Sequence, residues 1–259
     1  MTHLFMASIV SHLSDYKIPN GGGLTAHMVL MTIVSLTMIL VFTWVARSIK
    51  GKPKATGFAA LIEVGLVWVR DEIVYPWLGP EMGRKWLPFF WTLFFFILAN
   101  NLIGLMPFPI NPWHRAATGN VAVTAALAFI AFCAIQFAGM KKHGWLGYWK
   151  NLVPHGLPIF LIPLVWLIEF VGLFFKPFSL TVRLFANMTA GHAIIAVLVS
   201  FMFGVAGYRG AFVEGAGTIS AFAFMIFMML FETLVALIQA YIFTILTAIF
   251  MSVAVAEEH

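Results

Sequence analysis

Five ionisable side chains lie inside two long apolar stretches toward the C-terminal end of the 259-residue chain: Glu169, Lys176, Arg183, His192 and Glu232. A charge at mid-bilayer costs about 2.5–3.5 kcal/mol on insertion scales, so such residues ordinarily have a partner, an aqueous cavity or a function. Glu169, Lys176 and Arg183 are seven residues apart in turn, and each step turns only about 20° round a helix, so they form one stripe. Asn187, four residues past Arg183, extends it. His192, nine residues past Arg183, is rotated by about 180° and faces away. Glu232 and Gln239 share a face of the last stretch, with Ala236 and Ala240 along it. Ala186, Ala190 and Gly191 surround the Arg183 stripe, and small residues let helices approach closely.

An imidazole and a carboxylate together can pass a proton, which makes His192 and Glu232 a candidate relay. Plainer readings stand beside each residue. His192 alone would serve as a satisfied polar group within a bundle. Gln239 and Asn187 suit interhelical hydrogen bonds. Lys176, next to Pro177, can snorkel to an interface, with Glu169 as its structural partner. Arg183 resists such accounts. Its guanidinium stays charged under all ordinary conditions, and no acid stands three or four residues to either side. Its countercharge must come from elsewhere, another chain included.

These residues need membrane helices to hold them. The chain is 62% hydrophobic and only 10% charged, against roughly 25% charged for a soluble domain, and its mean hydropathy is +0.97. Apolar runs of about 20 residues, enough to cross a bilayer core, cover 27–46, 87–106 and 121–140. The segment 56–77 carries Glu63, Arg70, Asp71 and Glu72, too many charges for a span, and reads as an amphipathic helix on the membrane surface. The spans 87–106 and 121–140 form a hairpin, followed by a polar loop, Lys141 to Gly156. Two longer stretches remain, 157–204 and 218–255, separated by a loop with Gly207, Arg209, Gly210 and Glu214. The first would be about 70 Å long as one helix. Either it is two spans turning near Pro177 or it is one tilted, kinked helix. The residues leave both open.

Segments 47–86 and 141–156 hold ten lysines and arginines, and the opposing segments hold Lys17, Arg115 and Arg209. The positive-inside rule therefore puts the N-terminal segment 1–25 outside and the Glu257-Glu258-His259 ending in the cytoplasm. The net charge of +5 is dispersed among these short connections, which excludes a nucleic-acid groove. The single cysteine, Cys133, excludes a disulfide framework. No secretory signal precedes the first span, which suits a bacterial or organelle-encoded protein. No G-x-x-x-x-G-K-[ST] loop is present, so the chain is not expected to bind or hydrolyse ATP. Neither a metal nor a cofactor is expected.

Lys176-Pro-Phe-Ser-Leu-Thr-Val-Arg183-Leu-Phe-Ala-Asn187-Met-Thr-Ala-Gly-His192 strongly resembles subunit a of the F-type ATP synthases. So does Glu232-Thr-Leu-Val-Ala-Leu-Ile-Gln239-Ala-Tyr-Ile-Phe-Thr-Ile-Leu-Thr, and Asn101-Leu-Ile-Gly-Leu-Met-Pro107 is a weaker match. The resemblance implies an all-α integral membrane fold: one N-terminal span, a surface amphipathic helix, a hairpin and two long, strongly tilted helices in a single domain. It implies that Arg183 faces a rotating ring of c subunits and separates two aqueous half-channels. Glu169, Asn187, His192, Glu232 and Gln239 match the half-channel positions, with Lys176 and Asn101 as further candidates. Some relatives carry the acid and the histidine of the His192–Glu232 pair in exchanged places, so only the role of the pair carries over. The implied partners are the c ring, b-type peripheral stalk subunits, the F1 catalytic sector and the lipid bilayer. The implied location is a bacterial inner membrane or, alternatively, the mitochondrial inner membrane. An ion-coupled secondary transporter would also bury Arg, Glu and His, but the halves of the chain show no repeat. A membrane scaffold would have no use for an unpaired arginine at mid-depth.

Overall fold

In the computed structural model, residues 26–49, 56–105, 120–150, 158, 160–205 and 211–256 are described, and nearly all of them are helical. The helices are α1 (Ala26–Ile49), α2 (Phe58–Trp68), α3 (Tyr75–Gly104), α4 (Val121–His143), α5 (Trp145–Lys150), α6 (Ile162–Val205) and α7 (Ala211–Val255). A π-helical segment, Val69–Val74, joins α2 to α3. The expected outer segment 1–25, Lys50, Lys52, Lys54, Arg115, Arg209 and the Glu257-Glu258-His259 ending lie outside the described residues.

Residues Phe58 to Gly104 form a run that would exceed the roughly 30 Å bilayer core if straight. It is not straight. Gly79 has φ 67 and ψ 169, a backbone state essentially reserved for glycine, and it precedes Pro80, whose ring excludes the helical region for its predecessor. The chain folds back there. The Trp91 indole N–H donates to the Leu66 carbonyl at 2.8 Å, and Trp68 meets Phe94 with ring centroids 5.7 Å apart. The segment 56–77 thus comprises α2, the π-helical segment and the first residues of α3. It packs on α3 and α7 while exposing Leu61, Val64, Asp71 and Glu72.

α4 opens on Asn120, whose side chain accepts a hydrogen bond from the Ala122 N–H at 2.8 Å, an N-cap for a donor without a helical partner. It continues past the expected 140 to His143 because Lys141, Lys142 and His143 favour the negative end of the helix dipole. Gly144, at φ 74, ends it. The expected polar loop then contains α5. Its Tyr148 is buried and fills a notch at Gly139: a Cβ there would lie 2.8 Å from the ring Cδ2 and 2.9 Å from the Ala254 carbonyl oxygen. Burial pushes the Tyr148 phenol above its ordinary pKa.

α6 and α7 are continuous over 44 and 45 residues, about 66 and 68 Å. Pro177 lies inside α6 and costs it one hydrogen bond without ending it, so the two-span alternative does not hold. α7 begins at Ala211, seven residues before the expected start, and absorbs Gly215 and Gly217. Each glycine disfavours helix by only about 1 kcal/mol, too little to stop a helix packed on its neighbours. α7 is the hub and packs against α3, α4, α6 and the π-helical segment. Its Ala240, Phe243, Ala248 and Met251 meet Phe90, Phe94 and Ile97 of α3 and Leu127, Ala128 and Ala131 of α4 in one core. α1 lies to one side, on α2 and α3.

Candidate functional site

The site is assembled at the α6–α7 contact and the α3–α7 seam. On α6, Arg183 is exposed, on a face with Ser179, Val182, Ala186 and Ala190, which are exposed too. α7 exposes Leu230, Phe231, Leu234, Leu237 and Ile238. Neither a hydrogen bond nor an ion pair joins Arg183 to any described residue; the described pair is Arg70 with Asp71, at 2.7 Å. A permanent cation therefore stands on a largely apolar exterior.

Glu232 is the opposite case. It is 6% exposed, and neither carboxylate oxygen has a hydrogen-bond partner. Its side chain lies against the backbone of α6 at Gly191, where a Cβ would fall onto Oε1 and lie 2.9 Å from the carboxyl carbon. A side chain at position 191 would push the carboxylate out of this place. Gly191 was legible in the sequence as a small residue near the arginine stripe, but its contact with Glu232 was not. His192 follows it immediately, so the backbone brings the candidate relay residues to the same level. The side chains of Glu169, Lys176, Asn187 and His192 lie outside what is described, although their backbones belong to one continuous helix.

The α6–α7 register also sets Arg183. It lies eight residues from Gly191, and Gln239 lies seven from Glu232 in the matching direction of an antiparallel pair. Both displacements are about 11 Å. Arg183 and Gln239 thus share a level on different faces, the first exposed and the second 4% exposed.

α3 contributes two amides. Asn101 is fully buried, and its Nδ2 donates to the Ala236 carbonyl at 3.5 Å. Asn100, which the sequence reading passed over, is also fully buried; its Nδ2 donates to the Phe96 carbonyl at 2.8 Å, and its Oδ1 has no partner. An unmet buried acceptor costs about 1–3 kcal/mol. Thr244 and Thr247 are satisfied within α7 by the Ala240 and Phe243 carbonyls, at 2.7 and 2.8 Å. Among the described residues, no group of three His, Cys, Asp or Glu side chains could hold a metal ion.

An exposed, unpaired arginine and a buried carboxylate now stand on adjacent long helices. The sequence model of one family, described as ATP synthase A chain, matches residues 28–252. ATP synthase subunit a of Chloroherpeton thalassium is 41% identical over 93% of this chain and 70% of that protein. Subunit a of Myxococcus xanthus is 40% identical over 91% of this chain and 74% of that protein. The chain belongs to the ATP synthase A chain family. Membership removes the support for a free-standing secondary transporter or an inert scaffold.

Proposed function

We propose that this chain moves protons through the membrane sector of an ATP synthase by offering two half-channels separated by Arg183. As a family member it is the proton-translocating subunit of that sector and works in a complex with the other Fo and F1 subunits. The observation that carries the residue-level reading is Arg183: a permanent charge, exposed on an apolar face, without an acid among the described residues.

The chemistry follows from the cost of charge in lipid. A proton arrives from the outer side, is handed on by His192 and Glu232, and neutralises a carboxylate on a passing c subunit. The neutral site can enter lipid, which a carboxylate could not do without a large desolvation penalty. On the other side Glu169 and Asn187 line the exit, and the site loses its proton because Arg183 stabilises the anion. Gln239, level with Arg183, and Asn101 and Lys176 belong to the polar margins of these paths. Arg183 also repels protons between the two channels. The c ring meets the exposed faces of α6 and α7, which lie tilted along it, and b-type stalk subunits tie the chain to the F1 sector. The membrane is a bacterial inner membrane, with the N-terminus outside and the C-terminus cytoplasmic.

The direct test is Arg183→Ala in the assembled complex. ATP-driven proton pumping and proton-driven ATP synthesis should both vanish while the subunits still co-purify. Normal synthesis in that variant would sink the assignment.

A further inference from the structure

Asn100 belongs to a stripe of α3 that is otherwise apolar. Phe90, Leu93, Ile97 and Gly104 share it at helical spacing, and all are buried. A leucine would fill such a position without polar cost. The amide is instead held in one orientation by its bond to the Phe96 carbonyl, which leaves Oδ1 as a fixed acceptor inside the protein.

Its depth follows from three contacts. Trp68 touches both Phe94 and Tyr241, with ring centroids 5.7 and 5.6 Å away, so these two residues lie at one level. Asn101 bonds to Ala236. Moving from Phe94 to Asn101 on α3 therefore corresponds to moving from Tyr241 back to Ala236 on α7, and the helices are antiparallel. Asn100 lies between Ala236 and Tyr241, close to the level of Leu237, about one and a half turns beyond Glu232 and short of Gln239. Glu232 likewise has two buried oxygens without partners. Glu232 faces α6 at Gly191 and Asn100 lies on α3, so the two unmet groups stand at neighbouring levels on either side of α7. A small mobile donor satisfies such groups, and water is the one that serves both an amide oxygen and a carboxylate.

We infer that Asn100 is a further positioning residue of the proton path, with its Oδ1 seating a water on the α3–α7 seam between the levels of Glu232 and Gln239. This rests on the proton-translocating reading above. Asn100 itself takes no proton; it orients the water that does.

The test uses the intact complex in membrane vesicles, in a Cys133→Ser background. In Asn100→Cys, silver ion, which attacks thiols that water reaches, should block ATP-driven pumping, and the background alone should be insensitive. Asn100→Leu should pump about tenfold more slowly, as expected for the loss of one buried hydrogen-bond acceptor, and Asn100→Ser should recover much of that loss. Silver without effect on Asn100→Cys, or parental pumping by Asn100→Leu, overturns the inference. If Asn100→Leu fails to assemble, the silver measurement decides. Arg183→Ala is run in parallel: continued coupling there would defeat the underlying reading, whereas its inactivity beside a silent Asn100 defeats only this inference.

Discussion

A guanidinium and an ammonium carry the same charge, yet they are not equivalent at position 183. Lysine is compact, strongly hydrated and able to lose its proton when desolvated, whereas arginine stays charged. Arg183→Lys should therefore abolish ATP-driven pumping in vesicles although the charge is formally kept; near-parental pumping would show that position 183 needs only a cation. Gly191 makes a second prediction. Gly191→Ala places a methyl on Glu232, so proton flux should fall with assembly retained, and the shorter acid in Gly191→Ala/Glu232→Asp should restore part of it. Exchanging His192 and Glu232 should do less harm to flux than removing either residue, and an exchange no better than the worse single variant would refute the pairing. Arg183 and Glu232 were legible in the sequence because a charge in an apolar run is conspicuous by itself. The contact of Gly191 with Glu232 was not, because Glu232 arrives from another helix, and Asn100 was passed over because its burial on an otherwise apolar stripe shows only in the fold.

Apolar length and helix length correspond at some segments and differ at others. The spans at 27–46 and 121–140 correspond to α1 and α4, each extended by a few residues. The break between 56–77 and 87–106 was expected, but the way the chain folds back at Gly79 was not, since it shows only in the Gly79 backbone state and in the contacts of Trp91 with Leu66 and of Trp68 with Phe94. The continuity of α6 through Pro177 was left open by the residues and implied only by the family resemblance, because proline's local cost is outweighed by packing on α4 and α7 that no local window contains. Gly79→Ala should destabilise the fold by about 1–3 kcal/mol, the cost of forcing a side chain into that backbone region. The loss would be seen as earlier thermal unfolding of the purified complex, and an unchanged transition would mean that α3 does not need the bend.

For the molecule as a whole, the prediction concerns which side another subunit occupies. Val182 and Ala186 flank Arg183 on the exposed face, whereas Ala240 and Thr244 are wholly buried. Cysteines at Val182 or Ala186 should crosslink to a c-subunit helix under mild oxidation, and cysteines at Ala240 or Thr244 should not. Crosslinking from the buried pair alone would place the rotor on the wrong side of the bundle.

The Tyr148 notch has a mechanical side. A helix of 45 residues is a slender rod, and under the proposed function a rotor sliding past its flank would drag it sideways at every step. Gly139 of α4 lets both the Tyr148 ring and the Ala254 carbonyl approach closely, so the far end of α7 is held like the root of a cantilever. Under that reading the drag would be carried as bending along α7 and delivered as torque into α4 and α5, and this small aromatic plug would be a point where recoil enters the stationary part of the machine.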